Sequence, residues 1–310
     1  MYREKVIVGQ GTEYPLDGEL TFPDGAAKPF PAVVMVHGSG PSDKDERVMK
    51  LTPFRDLADG LAMRGIASLR YDKRTFAHKR KLAKTDTSEI TVREETIDDA
   101  LLAIEILKQD PRIDRDNIYI LGHSMGAMLA PRIDAEGGNV RGLIMMAGSP
   151  HRLEDIVVRQ LSQAEGGNPV LKLIIGLERK VYASKFDGLY EMSDEEAKHK
   201  KFAGKMSLYY FKEMGRKTAA DYLLESSKPV LIMQGGRDVQ ALADEDFAGF
   251  KELLGGRENT VYRLYPDLDH AFVTALYDDI TKAAREFGTE RHIGSEVLND
   301  IADFIKETGQ

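Results

Sequence analysis

The feature that most constrains this chain is an alternation of two apolar rhythms. Continuous apolar runs stand at residues 32–36, 66–70, 118–121 and 143–146, and resume at 229–233 and 260–264. Runs of that length and composition suit strands buried on both faces. Between them apolar residues recur at helical spacing: Phe54, Leu57, Ala58, Leu61 and Ala62, then Ile97, Leu101, Ile104 and Leu107, with Asp98, Asp99 and Lys108 on other faces. Parallel strands need crossover connections, which helices supply, so this order predicts a mostly parallel sheet. The first segment differs. Residues 5–8 and 19–22 alternate around Gly11, Pro15 and Gly18, as an antiparallel hairpin would. The expectation is an α/β protein whose eight-stranded sheet carries helices on both faces and a hairpin at one edge.

From about Pro150 to Lys228 the alternation stops. Helical patterns run through Leu153, Ile156, Val157 and Leu161, and an acidic helix start follows at Ser193, Asp194, Glu195 and Glu196, with no clear strand. Residues 150–228 therefore read as a helical insertion into a core built from 1–149 and 229–310. The chain closes with an amphipathic helix through Val297, Ile301, Phe304 and Ile305.

Composition excludes several classes of function. With no cysteine, disulfides, thiolate zinc sites and a cysteine nucleophile are ruled out. A net charge of −8 argues against a nucleic-acid partner, since neutralising phosphates takes clustered Lys and Arg. The run Lys79, Arg80 and Lys81 reads as a solvated loop. No stretch approaches the ~20 apolar residues of a membrane span, and the start, MYREKVIVGQ, lacks the apolar core of a secretion signal, so the expected compartment is the cytoplasm, with no membrane partner. The composition leaves association with further copies of the chain open.

Residues 117–128, NIYILGHSMGAM, carry the chemistry. A serine hydroxyl becomes a nucleophile when the chain presents it to substrate and a base takes its proton. A sharp strand-to-helix turn presents Ser124, and Gly122 and Gly126 permit the strained backbone and close chain approach that such a turn needs. The Met125 amide, at the start of the following helix, can donate to an oxyanion. An acid and then a histidine should follow downstream. Asp238, in the loop after the 229–233 run, is the acid candidate; His270, after the 260–264 run, is the base candidate, with Phe272 expected beneath it. Loops at the carboxyl ends of such strands are where ligands bind. The competing readings are that Asp238 caps a helix, that His270 is an ordinary loop histidine, and that Asp267 or Asp269 orients the imidazole instead. After the 32–36 run comes His37-Gly38-Ser39-Gly40-Pro41. This glycine-rich loop suits a second oxyanion donor, with the Ser39 amide the first choice and Gly40 the second. His37 precedes the serine in the chain and reads as a brace for the loop, not as the base.

Together HGSGPSDKDE, FRDLADGLAMRGIASLRYDKRT, the IDDA helix and LGHSMGAMLAPRI resemble the α/β-hydrolase superfamily, and within it the bacterial carboxylesterases related to serine aminopeptidase-like hydrolases. The resemblance implies a Ser124, Asp238 and His270 triad, esterase activity on short-chain or aryl esters, a small-molecule ester substrate, and no metal or organic cofactor. Acetyl and cinnamoyl esterases are among the relatives. One departure is Ala127, where two successive glycines are the family's habit. In this fold an insertion at 150–228 forms a cap over the site. Its residues 171–175 and Tyr209, Tyr210 and Phe211 either line an acyl pocket or pack the cap onto the core; Met192, Met206 and Met214 read as filler. The cluster Arg70, Asp72, Lys73 and Arg74 reads as ion pairs that hold a loop, with substrate-carboxylate binding as the alternative. Two other functions compete with an esterase: a peptidase or amidase that anchors a free amine on Asp187 or Glu191, and a binding protein that keeps the fold without catalysis.

Overall fold

A computed structural model of the chain describes residues 1–25, 29–163, 180–204 and 206–309. Eight strands form one sheet: β1 (Tyr2–Val8), β2 (Leu16–Phe22), β3 (Phe30–Val36), β4 (Ala67–Tyr71), β5 (Ile113–His123), β6 (Gly142–Met146), β9 (Val230–Gly235) and β10 (Thr260–Tyr265). Their order is β1-β2-β4-β3-β5-β6-β9-β10. β1 pairs antiparallel with β2, and β2 antiparallel with β4; every later pair is parallel. The edge hairpin and the parallel body thus stand as the apolar rhythms require.

Successive residues of a strand face opposite sides, so each central strand feeds two cores. Along β3, Ala32, Val34 and Val36 enter one apolar cluster with Ile104, Leu107, Ala130 and Ile133. Val33 and Met35 enter the other, against Phe54, Leu57, Val297 and Ile301. The helices Asp98–Gln109 and Met125–Ile133 cover the first face, and Pro53–Ala62 and Ser295–Thr308 the second. One expectation for the first face fails in detail: Asp99 is buried, because Arg74 clamps its carboxylate with bonds of 2.6 and 3.0 Å.

β3 lies between β4 and β5, so the chain leaves it first to one side and then to the other. At such a switch point the loops after neighbouring strands part and open a crevice at their carboxyl ends. The two loops that flank this crevice are residues 37–46 and the turn at Ser124.

The connection between β6 and β9 holds the helices Leu153–Gln163, Asp194–His199, Leu208–Gly215 and Ala219–Leu224. Ser193 caps the second of these, its hydroxyl accepting from the Glu196 amide at 3.1 Å. Contrary to the sequence expectation, the segment also contains a short antiparallel hairpin, β7 (Lys201–Ala203) with β8 (Met206–Ser207). Strands of 3 and 2 residues are too short to show a periodicity. Residues 171–175, one candidate for the acyl pocket, lie outside the described residues. The basic run at 79–81 is another correction: it forms a one-turn helix, Lys79–Leu82, with Lys81 paired to Glu13 at 3.0 Å. Among the described residues no helix is long and apolar enough to cross a membrane.

Candidate active site

Ser124 joins β5 to the helix Met125–Ile133 with φ 55° and ψ −120°, outside the regions open to ordinary L-residues. A backbone held there costs about 1–3 kcal/mol and persists only where its surroundings enforce it. The two glycines show how. A Cβ on Gly122 would lie 2.2 Å from the Gly126 carbonyl oxygen, and one on Gly126 would lie 2.1 Å from the Val36 carbonyl oxygen. Strand, turn and helix therefore touch backbone to backbone. Ala127 departs from the double glycine without a clash because the facing position is Gly148, where an added methyl would meet the Ala127 Cβ at 2.9 Å.

Asp238 and His270 meet. His270 Nδ1 is 2.7 Å from Asp238 Oδ2. A carboxylate there fixes the proton on Nδ1 and leaves Nε2 as the acceptor. Asp238 is itself immobilised: Oδ1 accepts from the amides of Gln240 (2.7 Å) and Ala241 (3.0 Å), and Oδ2 from Gln234 Nε2 (3.0 Å). The helix-cap reading of Asp238 does not hold: these amides belong to a bend, and the helix that follows, Ala243–Phe247, starts at Leu242 with no side-chain cap. Ser124 and His270 line the same cavity of about 370 Å³, with no hydrogen bond between their side chains. Such contacts are often long before substrate tightens them.

The other aspartates do not reach the imidazole. Asp269 is buried but turns to the amides of Ala271 (2.9 Å) and Val273 (3.2 Å) and to Arg291, so it shapes the loop that carries His270. Asp267 is exposed. Phe272 packs edge-on against Tyr265 at 6.0 Å, rather than as a floor for His270.

The loop after β3 is braced from several directions. Burial pushes the His37 imidazole down to about 4, so it is neutral; its Nε2 sits 3.0 Å from the Asp43 carbonyl, the bracing role expected of it. The Gly38 amide donates to Glu46 Oε1 at 2.8 Å, and the Gly38 carbonyl accepts from Lys73 Nζ at 2.9 Å. In a trans peptide the C=O and the next N–H point opposite ways, so Lys73 sets the direction of the Ser39 N–H. A Cβ on Gly38 would come 3.1 Å from the Ser124 Cβ, which places this peptide beside the serine. Among the described residues neither the Ser39 amide nor the Met125 amide donates to another group. Ser39 and Gly40 both line the cavity.

Beyond Lys73, sequence reasoning missed a set of buried charges around these parts. Glu46, at φ 50°, ion-pairs with His123 Nδ1 at 2.9 Å, and His123 Nε2 donates to the His270 carbonyl at 2.8 Å. Burial works against a charged His123, but the Glu46 carboxylate outweighs it and holds the imidazole up at about 9; the same contact holds Glu46 below its ordinary value against its own burial. One ion pair thus ties the Gly38 loop, the serine turn and the histidine loop together. Lys73 completes a second: its Nζ is 2.9 Å from Glu95 Oε1, while Tyr210 Oη donates to Glu95 Oε2 at 2.5 Å and reaches the Met125 sulfur at 3.6 Å. Arg70 bonds Asp45 and Glu19, and Arg74 bonds Asp99, so the basic cluster after β4 holds structure, as expected of it.

From the connection between β6 and β9, Tyr210, Phe211, Phe202 and Met206 reach the cavity wall. Tyr209, Met192 and Met214 do not line it, nor do Asp187 and Glu191.

A parallel sheet with a strained serine at the switch point and a histidine–aspartate pair on the following loops defines a class, and the chain belongs to it: residues 33–283 match the alpha/beta hydrolase family. Over 304 residues it is 35% identical to esterase EstD of Thermotoga maritima, an overlap of 98% of this chain and 68% of that protein. Solved structures share the fold at lower identity. Est1E from Butyrivibrio proteoclasticus is 16% identical with a TM-score of 0.59, covering 98% of both chains. The Pyrococcus furiosus esterase Pf2001 is 17% identical with a TM-score of 0.59, covering 99% of this chain and 91% of that one.

Proposed function

We propose that this chain is a serine carboxylesterase acting on small-molecule carboxylic esters, short-chain or aryl, through an acyl-enzyme. The observation that carries this reading is the 2.7 Å pair of His270 and Asp238 in one cavity with a serine held in a strained turn. His270 Nε2 takes the Ser124 proton as Oγ attacks the ester carbonyl. The Met125 and Ser39 amides receive the oxyanion. The carbon–oxygen bond to the alcohol then breaks, and His270 returns its proton to the departing oxygen. Water repeats the sequence on the acyl-serine, releasing the acid. Asp238 keeps the ring in one tautomer and stabilises its cation.

The cap follows from the same reading. Residues 150–228 bring Phe202, Tyr210 and Phe211 over the cavity, where they exclude water and shape the acyl site. The amine anchor that a peptidase needs finds no support among the described residues: Asp187 and Glu191 lie off the cavity wall, and both oxygens of Glu95 are engaged.

The test is hydrolysis of p-nitrophenyl acetate and butyrate beside an amino-acid p-nitroanilide, with Ser124→Ala as control. Serine-dependent ester turnover supports the reading. Turnover of the anilide alone transfers the site to peptidases.

A further inference from the structure

Beyond the cavity that holds Ser124 lies a second one of about 290 Å³. The two share Thr75, Glu95, Met206 and Tyr210, which form a doorway between them. The far chamber is walled by Tyr14, Leu82, Ile90 and Met206, with Arg74 and Glu94 as its charged neighbours beyond the doorway. Neither of those charges is free. Arg74 grips Asp99 with two bonds, and Glu94 accepts from the amide and hydroxyl of Thr91 at 2.8 and 2.6 Å. At the doorway both Glu95 oxygens are likewise occupied, by Lys73 and Tyr210. A chamber whose charges are spent on its own walls favours an uncharged apolar guest, because a charged one would be desolvated without a partner.

The sheet order says which end of an ester points there. His270 follows β10, on the far side of β5 from β4, whereas Thr75 follows β4 and Glu95 is paired to Lys73, which also follows β4. The leaving alcohol must sit where His270 can protonate it. The acyl group therefore extends the opposite way, toward the β4 end and the doorway.

We propose that the far chamber is the distal part of the acyl site, so that the chain accepts esters of medium-length aliphatic acids whose tails pass Thr75 and Met206. Resting on the esterase reading, this extends its acyl class from short chains to medium-length ones.

The experiment is a p-nitrophenyl ester series from acetate to laurate on the full chain, repeated with Ile90→Trp and with Leu82→Trp, each of which fills the far chamber from a wall it does not share with the Ser124 cavity. In the wild type kcat/KM rises past octanoate, by up to about fourfold for each methylene that becomes buried. Either variant that folds lowers kcat/KM for decanoate at least tenfold and leaves acetate within about twofold. A wild-type profile that peaks at acetate or butyrate overturns the chamber while leaving the esterase reading intact. So does an equal loss on all chain lengths in both folded variants. Absence of any Ser124-dependent ester turnover overturns the esterase reading and this proposal together.

Discussion

The serine turn and the connection between β6 and β9 face each other across one cavity, yet different forces hold them. At the turn, backbone touches backbone at Gly122 and Gly126, and buried ion pairs with few alternatives lock the neighbouring loops. In the connection, Phe186, Phe202 and Phe211 meet ring to ring at 4.6–5.2 Å, and some of the charged pairs, such as Arg216 with Asp194, are exposed. Reacting atoms need fixed positions, and steric contact supplies them. A binding wall needs only a shape, which aromatic packing gives with more latitude for change.

The contrast is broken most severely at Gly126. Gly126→Ala forces a methyl to within 2.1 Å of the Val36 carbonyl oxygen, and the expected result is a loss above ~4 kcal/mol or no folded protein. Denaturant titration measures it, and a variant as stable as wild type would show that the turn is not sterically fixed. Next comes Asp238→Asn, expected to lower kcat by about 10⁴ with little change in fold, since the amide stabilises the wrong tautomer of His270. Asp269→Asn should instead act on stability through the loop amides it holds, so a larger kinetic effect there than at Asp238 would reverse the two roles.

The His123–Glu46 pair sharpens the comparison through pH. His123 is held at about 9 in the fold against 6.5 ordinarily. Its raised value means the folded chain binds the proton more tightly, so this stabilisation is complete below pH 6.5 and is lost as pH rises through 9. The expected loss is on the order of 2–3 kcal/mol over that window. Unfolding at pH 6, 7.5 and 9 measures it, and Glu46→Gln should flatten the slope; a wild type equally stable across the window would rule out the charged pair. Smallest is the cap surface. Arg216→Ala removes an exposed pair with Asp194 and should change stability by less than ~1 kcal/mol; a larger loss would put the connection in the same regime as the turn.

What could be read from the sequence follows the same division. The buried strands were legible because a parallel strand covered on both faces must be apolar throughout, as β3 and β6 are. The positions of Ser124 and Asp238 were legible because each follows such a strand, and that of His270 because it follows the next strand, β10, a half-buried edge; backbone strain at Ser124 demands glycines at fixed spacing. Glu46 and Glu95 were not, and for Lys73 only the kind of role was legible, not its partners. His123 lies 77 positions from Glu46, Gly38 lies 35 from Lys73 and Tyr210 lies 115 from Glu95, so no local pattern announces these contacts. The β7–β8 hairpin escaped for another reason: its pairing comes from tertiary packing, with too few residues to carry a rhythm.

The central claim is that Ser124 is the nucleophile, and labelling with a fluorophosphonate followed by mass mapping of the peptides tests it most directly. The account predicts one phosphonyl group per chain, on Ser124, with ester turnover lost in proportion to labelling and no label on Ser124→Ala. Label on another residue, or full ester turnover in Ser124→Ala, would contradict it.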